Sequence, residues 1–330
     1  MTEGPATPRI VAVVVTFNRL ALLQRLVTRL RGTEGLAEIL VVDNASTDGT
    51  GKWLAAQPVP VRSLRLPDNR GGAGGFHAGL GAAVADGADL VWLMDDDTVP
   101  EPGALQAMLD ARALRPGGPP VLIASRVVWT DGRPHPMNTP RTKPFASKAE
   151  RLAAAAAGCL PIRSASFVSI LVDAGVFRDR GLPEADYFLW NDDFEFTARL
   201  LRHSPGLLCA ASTVVHKTRA FGATDADPGD RFFYEVRNKV WTLRSAAPLA
   251  AHERVLYGGA TLRRWGRTFA RSAGRGTLAR CLLRGLAAGI RSGPRPTAEV
   301  LTGFGVTMPP DPALLAPQDP PPSPPSATAS

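Results

Sequence analysis

From Leu90 to Thr98 the chain reads Leu-Val-Trp-Leu-Met-Asp-Asp-Asp-Thr, an apolar run that stops at three adjacent carboxylates. A short uninterrupted apolar run of this kind is the mark of a strand buried on both faces. Three neighbouring carboxylates cannot ionise cheaply inside a core, because each loses hydration and gains no partner. Asp95, Asp96 and Asp97 must therefore stand where the strand reaches the surface. In an open α/β sheet that end of a strand borders the ligand crevice. Carboxylates crowded there repel one another unless a cation holds them, and hard oxygen donors suit Mg²⁺ or Mn²⁺. A metal that neutralises a diphosphate fits this pattern. A solvated acidic turn is the commoner fate of acidic clusters, but the hydrophobic strand in front of this one favours the metal.

The same plan recurs upstream. Ile10 to Phe17 is rich in β-branched residues, as a central parallel strand requires, and it runs into Asn18 and Arg19. Asn18 is the expected N-cap of a helix in which Leu23, Leu26, Val27 and Leu30 repeat at helical spacing. Glu38 to Asn44 gives a second buried strand, a helix follows around Trp53, and Val61 to Leu66 gives a third strand. After Asp68 and Asn69 come the glycines Gly71, Gly72, Gly74 and Gly75, then a helix from Ala78 to Ala85 and the strand with the Asp triplet. Strand and helix in alternation predict an α/β fold with a mostly parallel, doubly wound sheet and right-handed crossovers. Thr16, Asp43, Asp68 and Asp95 then gather at one edge, where carboxylates and amides suit the base, ribose and phosphates of a nucleotide.

The glycine stretch raises the possibility of a dinucleotide site. That fingerprint follows the first strand, with an acidic residue roughly 20 positions later. Here the glycines come two strands later, so the NAD reading is rejected. They are expected to let backbone approach a ligand closely; taken alone they read as a flexible turn.

A chain of 330 residues has room for one large α/β domain or two smaller ones. The formal net charge is +8, and arginine is dense between Arg254 and Arg295. That asymmetry implies a basic surface facing phosphates, nucleic acid or an anionic membrane. No apolar stretch is long enough to span a bilayer and the polar N-terminus does not read as a signal peptide, so any membrane contact is expected to be peripheral. Cys159, Cys209 and Cys281 show no CxxC and no paired spacing, and read as buried small hydrophobes in a reducing, cytoplasmic setting.

In the second half, Val121 to Trp129 reads as a strand and Thr130 to Lys148 as a proline-rich loop or flap. Arg151 to Ala157 reads as a helix, and Ser164 to Val172 as one strand whose small residues border an acceptor pocket. Trp190, Asn191, Asp192, Asp193 and Glu195 bunch at a helix start, where acidic groups suit the dipole. Capping alone accounts for them, yet the aromatics around them imply a half-buried setting that suits a tuned general base. His216 ends a short strand, and spacing alone does not promote it above a structural histidine. Asp230 to Trp241 starts a helix with the pair Arg237-Asn238. Arg254 to Arg291 is a basic, partly amphipathic helical stretch, either a solvated hairpin or a surface that lies on anionic lipid. Pro309 to Ser330 is proline-rich without apolar periodicity and reads as disordered.

In this order, the stretches Val13 to Arg19, Val41 to Gly49, Asn69 to Phe76, Asp95 to Asp97 and Trp190 to Asp193, with His216, resemble the inverting family 2 glycosyltransferases of the GT-A fold. The resemblance covers roughly Ile10 to Trp241 and implies a Rossmann-like, mostly parallel doubly wound sheet with a basic helical C-terminal extension. It implies that Thr16, Asn18, Arg19, Asp43 and Asn69 surround uracil and ribose, with Asp68 a weaker member. Gly71, Gly72 and Asp96 join that nucleotide-sugar set. Asp95 falls near the ribose and the metal, and Asp97 and His216 hold Mn²⁺ or Mg²⁺ against the diphosphate. Asp193 matches the catalytic base and Asp192 its neighbouring carboxylate, while Trp190 and Arg237 fall on the acceptor side. Asn191, standing between Trp190 and the carboxylate pair, departs from the family pattern.

Residues 69–76, 88–97 and 232–238 are most similar to the galactofuranosyltransferases that start cell-wall galactan. That implies UDP-galactofuranose as donor and a polyprenyl-diphosphate-linked saccharide as acceptor, for cell-wall or surface polysaccharide synthesis. Related rhamnosyltransferases, which use dTDP-rhamnose, share much of the pattern. The expected organisation is a loose leader (1–8) and a transferase domain (9–245) with nucleotide-sugar (9–120) and acceptor (121–245) halves. A basic helical region (246–307) and a proline-rich tail (308–330) follow. Partners are the donor and the lipid-linked acceptor, with peripheral membrane contact through 254–295 at the inner face and no nucleic acid. A nucleotidyltransferase is the rival enzyme, but the basic glycine-rich loop it needs after the first strand is absent. A non-catalytic binding protein is the other rival, and the intact acidic set counts against it.

Overall fold

The computed structural model describes residues 7–218, 221–222 and 227–302. Most of the expected leader and the tail 308–330 lie outside the described residues. β1 (Ile10–Thr16) is wholly buried and serves two cores at once. Its side chains alternate between faces, as a strand requires: Val11, Val13 and Val15 enter one apolar layer, Ile10, Ala12 and Val14 the other. α1 (Leu20–Arg31) seats Leu23, Leu26, Val27 and Leu30 in the second layer. β2 (Leu36–Asp43), α2 (Thr50–Ala55) and β3 (Val61–Arg65) follow, then α3 (Gly71–Ala85) over the first layer and β4 (Leu90–Asp95) beside β1.

The second half contains β5 (Thr98–Pro100), α4 (Ala104–Leu114), β6 (Leu122–Val128), β7 (Arg141–Thr142), α5 (Lys148–Ala156), β8 (Cys159–Ser164) and β9 (Ile170–Asp173). α6 (Phe177–Arg180), α7 (Asp192–Leu200) and the long β10 (Gly206–His216) come next. The ten strands lie in the order β3-β2-β1-β4-β9-β6-β10-β8-β7, with β5 paired to β10. β1 to β4, β6, β7 and β10 point one way, and β5, β8 and β9 the other. The sheet is thus mixed but mostly parallel, with helices on both faces. Thr16, Asp43 and Asp95 end three neighbouring strands at one edge, as the sequence predicts; Asp68 lies in the turn after β3.

Three local expectations are corrected. The helix expected from Ala78 begins at Gly71, so Gly72, Gly74 and Gly75 are helical and not a loop. A Cβ on Gly75 would meet a Val15 methyl at 2.6 Å, and one on Gly79 would meet Val13 at 2.6 Å and Val42 at 2.8 Å. These glycines bring the helix axis close to the sheet. The expected strand Ser164 to Val172 is two strands, β8 and β9, separated in the sheet by β6 and β10. Residues 165–169 cross between them, anchored where Thr197 Oγ1 accepts from Ala165 N–H at 3.1 Å and donates to its carbonyl at 3.0 Å. Such distant polar anchors leave no period in the sequence. Asn18 is not the N-cap of α1: Asp48 accepts from Leu20 N–H at 3.0 Å instead. Asn18, at φ 52°, accepts from Thr47 N–H at 2.7 Å.

α8 (Phe232–Arg244), α9 (Ala251–Arg271), α10 (Arg275–Arg291) and the short α11 (Thr297–Val300) complete the described chain. α10 lies tightly on α8, because a Cβ on Gly285 or Gly289 would fall 2.7 Å from Val236 or Val240 respectively. Buried Arg163 of β8 donates to Glu253 of α9 at 2.6 and 3.0 Å, joining the helical region to the sheet. The three cysteines are buried and free. Among the described residues no helix is long and apolar enough to cross a membrane.

Candidate active site

β5 doubles back from the Asp triplet and pairs Thr98 with His216 at the end of β10. Asp97 Oδ1 thereby lies 2.9 Å from His216 Nε2. One donor atom from each of Asp95, Asp97 and His216 lies within 4.8 Å of the others. His216 Nδ1 is 2.9 Å from Asn138 Oδ1, the kind of contact that fixes the orientation of a ligating imidazole. Burial, with Asp97 beside it, pushes the Asp95 carboxyl up to about 7. Burial likewise lifts Asp96 to about 6, against the pull of Arg19. Burial also acts to raise Asp97, but the His216 hydrogen bond and charge, with Arg19, outweigh it and hold that carboxyl below its usual range. Asp95 and Asp96 are thus driven toward their neutral form while Asp97 is kept ionised, and two carboxylates with an imidazole are a donor set that fits Mn²⁺ or Mg²⁺.

The residues expected from the sequence on the nucleotide side lie at or just beyond the neighbouring strand ends. Thr16 Oγ1 donates to Asp96 at 2.7 Å, and Arg19 donates to Asp96 at 3.1 Å and to Asp97 at 2.8 Å. Asp43 is 1% exposed and fully engaged, accepting from Ser46 N–H at 2.8 Å and from Arg65. Asn69 accepts from Gly71 N–H at 2.8 Å, and Asp68 pairs with Arg70 at 2.5 Å. Gly71, at φ 68°, is pressed so closely to the Phe188 carbonyl that a Cβ there would stand 2.0 Å from its oxygen. Sequence reasoning missed Asn44, which donates to the Gly71 carbonyl at 2.8 Å and accepts from Arg70 N–H at 3.2 Å.

A cavity of about 560 Å³ opens beside the acidic cluster. Gly72, Asp95, Trp190, Asp192, Asp193 and His216, all marked in the sequence, share its wall. Thr16, Asn18, Arg19, Asp43, Asn69, Gly71, Asp96 and Asp97 do not line it. Arg237 is also absent from the wall: its guanidinium donates to the carbonyls of Asp186 at 2.7 Å and Tyr187 at 3.2 Å, and lies 4.2 Å from the Trp241 ring. Arg141, Glu235, Arg264 and Trp265 line the cavity and were not found from sequence. Arg264 and Trp265 fall in a helix whose arginines all look alike in a linear reading.

Asp192 and Asp193 open α7 after an unusual turn in which Phe188, Trp190 and Asn191 have φ of 64°, 63° and 64°. Asn238, fully buried on α8, holds that turn by donating to the carbonyls of Tyr187, Leu189 and Trp190 at 2.8, 2.9 and 2.8 Å. Burial raises the Asp193 carboxyl, against the Phe194 N–H and the cations Lys239 and Arg141. Burial and the neighbouring Asp193 lift Asp192 well above the usual carboxylate range. Lys239 is itself pushed down to about 7 by burial, against the attraction of Glu235. Two adjacent carboxylates with unlike surroundings are how a site separates a working base from a neutral neighbour, and the nearby cations favour Asp193 as the ionised one.

A family model described as Glycosyl transferase family 2 matches residues 11–162. Galactofuranosyltransferase GlfT1 of Mycobacterium tuberculosis (strain ATCC 25618 / H37Rv) is 30% identical over 274 residues, covering 76% of this chain and 88% of that protein. S. aureus TarS 1-349 in complex with UDP-GlcNAc superposes with a TM-score of 0.56 at 16% identity, over 86% of this chain and 81% of that one. Mannosyltransferase PcManGT from Pyrobaculum calidifontis, in complex with GDP-Man and Mn²⁺, gives a TM-score of 0.50 at 17% identity over 89% and 78%. At these identities the two solved structures speak for the fold alone.

Proposed function

The chain belongs to glycosyl transferase family 2, and from that premise we propose that it is an inverting hexosyltransferase moving galactofuranose from UDP-galactofuranose onto a polyprenyl-diphosphate-linked saccharide. The product would enter a cell-wall or surface polysaccharide. One observation carries the reading: Asp193 faces the same cavity as Asp95 and His216. An in-line displacement needs a base on one side of the anomeric carbon and a stabilised leaving group on the other. The name of the mycobacterial relative supports the choice of sugar, and the Mn²⁺ bound by PcManGT supports a divalent metal.

In this mechanism Asp193 removes the proton from the acceptor hydroxyl as its oxygen bonds the anomeric carbon, and the bond from that carbon to UDP breaks. The proton ends on the Asp193 carboxylate. Asp95, Asp97 and His216 would hold a divalent cation, which would supply Lewis-acid stabilisation to the charge on the diphosphate. Exposed Asn18 and Arg19, with Asn69, meet uracil and ribose, while buried Thr16 and Asp43 shape that rim from behind. Asp96 holds Arg19, Gly72 lets the donor approach α3, and Trp190 lies against the acceptor sugar. Residues 9–245 form the transferase unit, and the helices after it close the acceptor side.

The helical region also suits contact with the inner face of an anionic membrane. Val255 and Leu262 on α9, and Leu283 and Ile290 on α10, are each seven residues apart and 77%, 67%, 69% and 61% exposed. Exposed Arg263, Arg280, Arg284 and Arg291 flank them, the mix of apolar stripe and cations that lipid headgroups attract.

Thermal stabilisation by UDP, dTDP and GDP, each with Mn²⁺ and with EDTA, tests the site. Stabilisation specific to UDP and dependent on metal supports the reading. A preference for dTDP moves the donor to dTDP-rhamnose on the same machinery, and no metal-dependent diphosphate effect removes the site assignment.

A further inference from the structure

Asn191, the residue that departs from the family pattern, has a defined partner. Its Nδ2 donates to Glu235 Oε2 at 2.8 Å and to the Glu235 carbonyl at 3.3 Å. The other Glu235 oxygen accepts from Trp265 Nε1 at 3.1 Å and from Arg264. Both residues are nearly buried, Asn191 at 8% and Glu235 at 9% exposure, so the Glu235 carboxylate is spent on protein contacts although it borders the cavity. One side chain thus joins three elements: the residue before α7, α8 and α9.

A non-glycine residue at positive φ costs on the order of 1–3 kcal/mol and persists only where its surroundings hold it. Asn238 holds the carbonyls of Tyr187, Leu189 and Trp190, but makes no bond to Asn191 itself. The last strained residue before Asp192 and Asp193 is secured by Glu235.

We propose that Asn191 and Glu235 form a latch by which α9, through Arg264 and Trp265, fixes the aim of Asp193; both are positioning residues. This rests on the reading of Asp193 as the base. Asn191→Gly tests it, because glycine adopts φ near 64° without strain while the side chain that bonds Glu235 is removed. In the full chain with Mn²⁺, kcat should fall about 10–100-fold, the scale of a small misplacement of a reacting group. Donor KM and stabilisation by UDP should stay at wild-type values. Glu235→Gln should act in the same direction, and the double variant should lose no more than the worse single, as residues acting as one unit do.

Asp193→Asn is measured alongside. If it keeps wild-type turnover, the base reading fails. If it is inactive while Asn191→Gly keeps wild-type kcat, the latch alone fails. Parallel loss of kcat and donor affinity in Asn191→Gly, or multiplicative losses in the double variant, also overturns the latch.

Discussion

Asp97 and His216 stand 119 positions apart in the chain and 2.9 Å apart in space. The short antiparallel pairing of β5 with β10 makes the contact, returning the chain onto the far half of the sheet directly after the Asp triplet. The first and second halves of the chain therefore meet at the acidic cluster through this pair, and they also meet where β4 pairs with β9.

The acidic cluster should make metal binding pH-dependent. Asp95 titrates near 7 in the folded chain against 3.8 in a free aspartate. Between those values the folded state holds a proton that the unfolded state has lost, so this group's contribution to stability falls as pH rises toward 7. A cation needs the charged form. The rise in Tm caused by Mn²⁺ with UDP should therefore be larger at about pH 8 than at about pH 5.5, as measured by differential scanning fluorimetry; an equal rise at both would show that these carboxylates do not hold the metal.

Asp193→Asn should lower kcat by about 10²–10⁴-fold, the usual value of general-base assistance, with UDP stabilisation unchanged. Because burial raises the Asp193 carboxyl, the wild-type rate should fall on the acid side at a pH above that of an ordinary aspartate, where the base takes up its proton. A pH–rate profile with product quantified by chromatography reads both effects.

Gly75→Ala should destabilise the fold by about 1–2 kcal/mol, since overpacking outweighs the better helix propensity of alanine. The added methyl would meet Val15 at 2.6 Å and Asn44 Nδ2 at 3.0 Å. Gly259→Ala, where a Cβ meets nothing within 4 Å, is the matching control. It should stabilise by about 0.5–1 kcal/mol. Urea titrations of the two variants give opposite signs if α3 is held to the sheet by its glycines.

Glu253→Ala should cost about 3–5 kcal/mol, the penalty for leaving a buried charge without its partner. Arg163 is 2% exposed and would keep only its carbonyl acceptors, among them Ala198 O at 2.5 Å. Wild-type stability in urea for this variant would mean that the pair does not secure the helical region.

Periodicity made the parallel half of the fold legible: β1, β4 and the stretch of β2 after Glu38 are apolar runs whose polar ends gather where that pattern requires. The Asp triplet was legible for the same reason, since carboxylates must leave a buried strand. His216 was not, because one imidazole carries no spacing signal, and only the family resemblance singled it out. The break between β8 and β9 was hidden, because Thr197 anchors it from another element. Arg264 and Trp265 were hidden because helix packing, rather than local sequence, selects which face of α9 meets the cavity. The glycines after Asn69 were visible but misjudged: the local rule gives a loop, whereas they begin a helix that lies close on the sheet, Gly75 against Val15 and, a turn later, Gly79 against Val13 and Val42.

The bare faces of Gly285 and Gly289 settle where this protein can be recombined. They bring α10 onto the back of α8, whose front holds the turn before Asp193, and Trp241 Nε1 reaches Ser292 O at 2.7 Å to fasten the far end. A chimera joined after residue 245 would separate α8 from its backing and take Arg264 and Trp265 from the cavity wall. To exchange the cavity wall that carries Glu235, Arg264 and Trp265, α8, α9 and α10 have to be moved as one block.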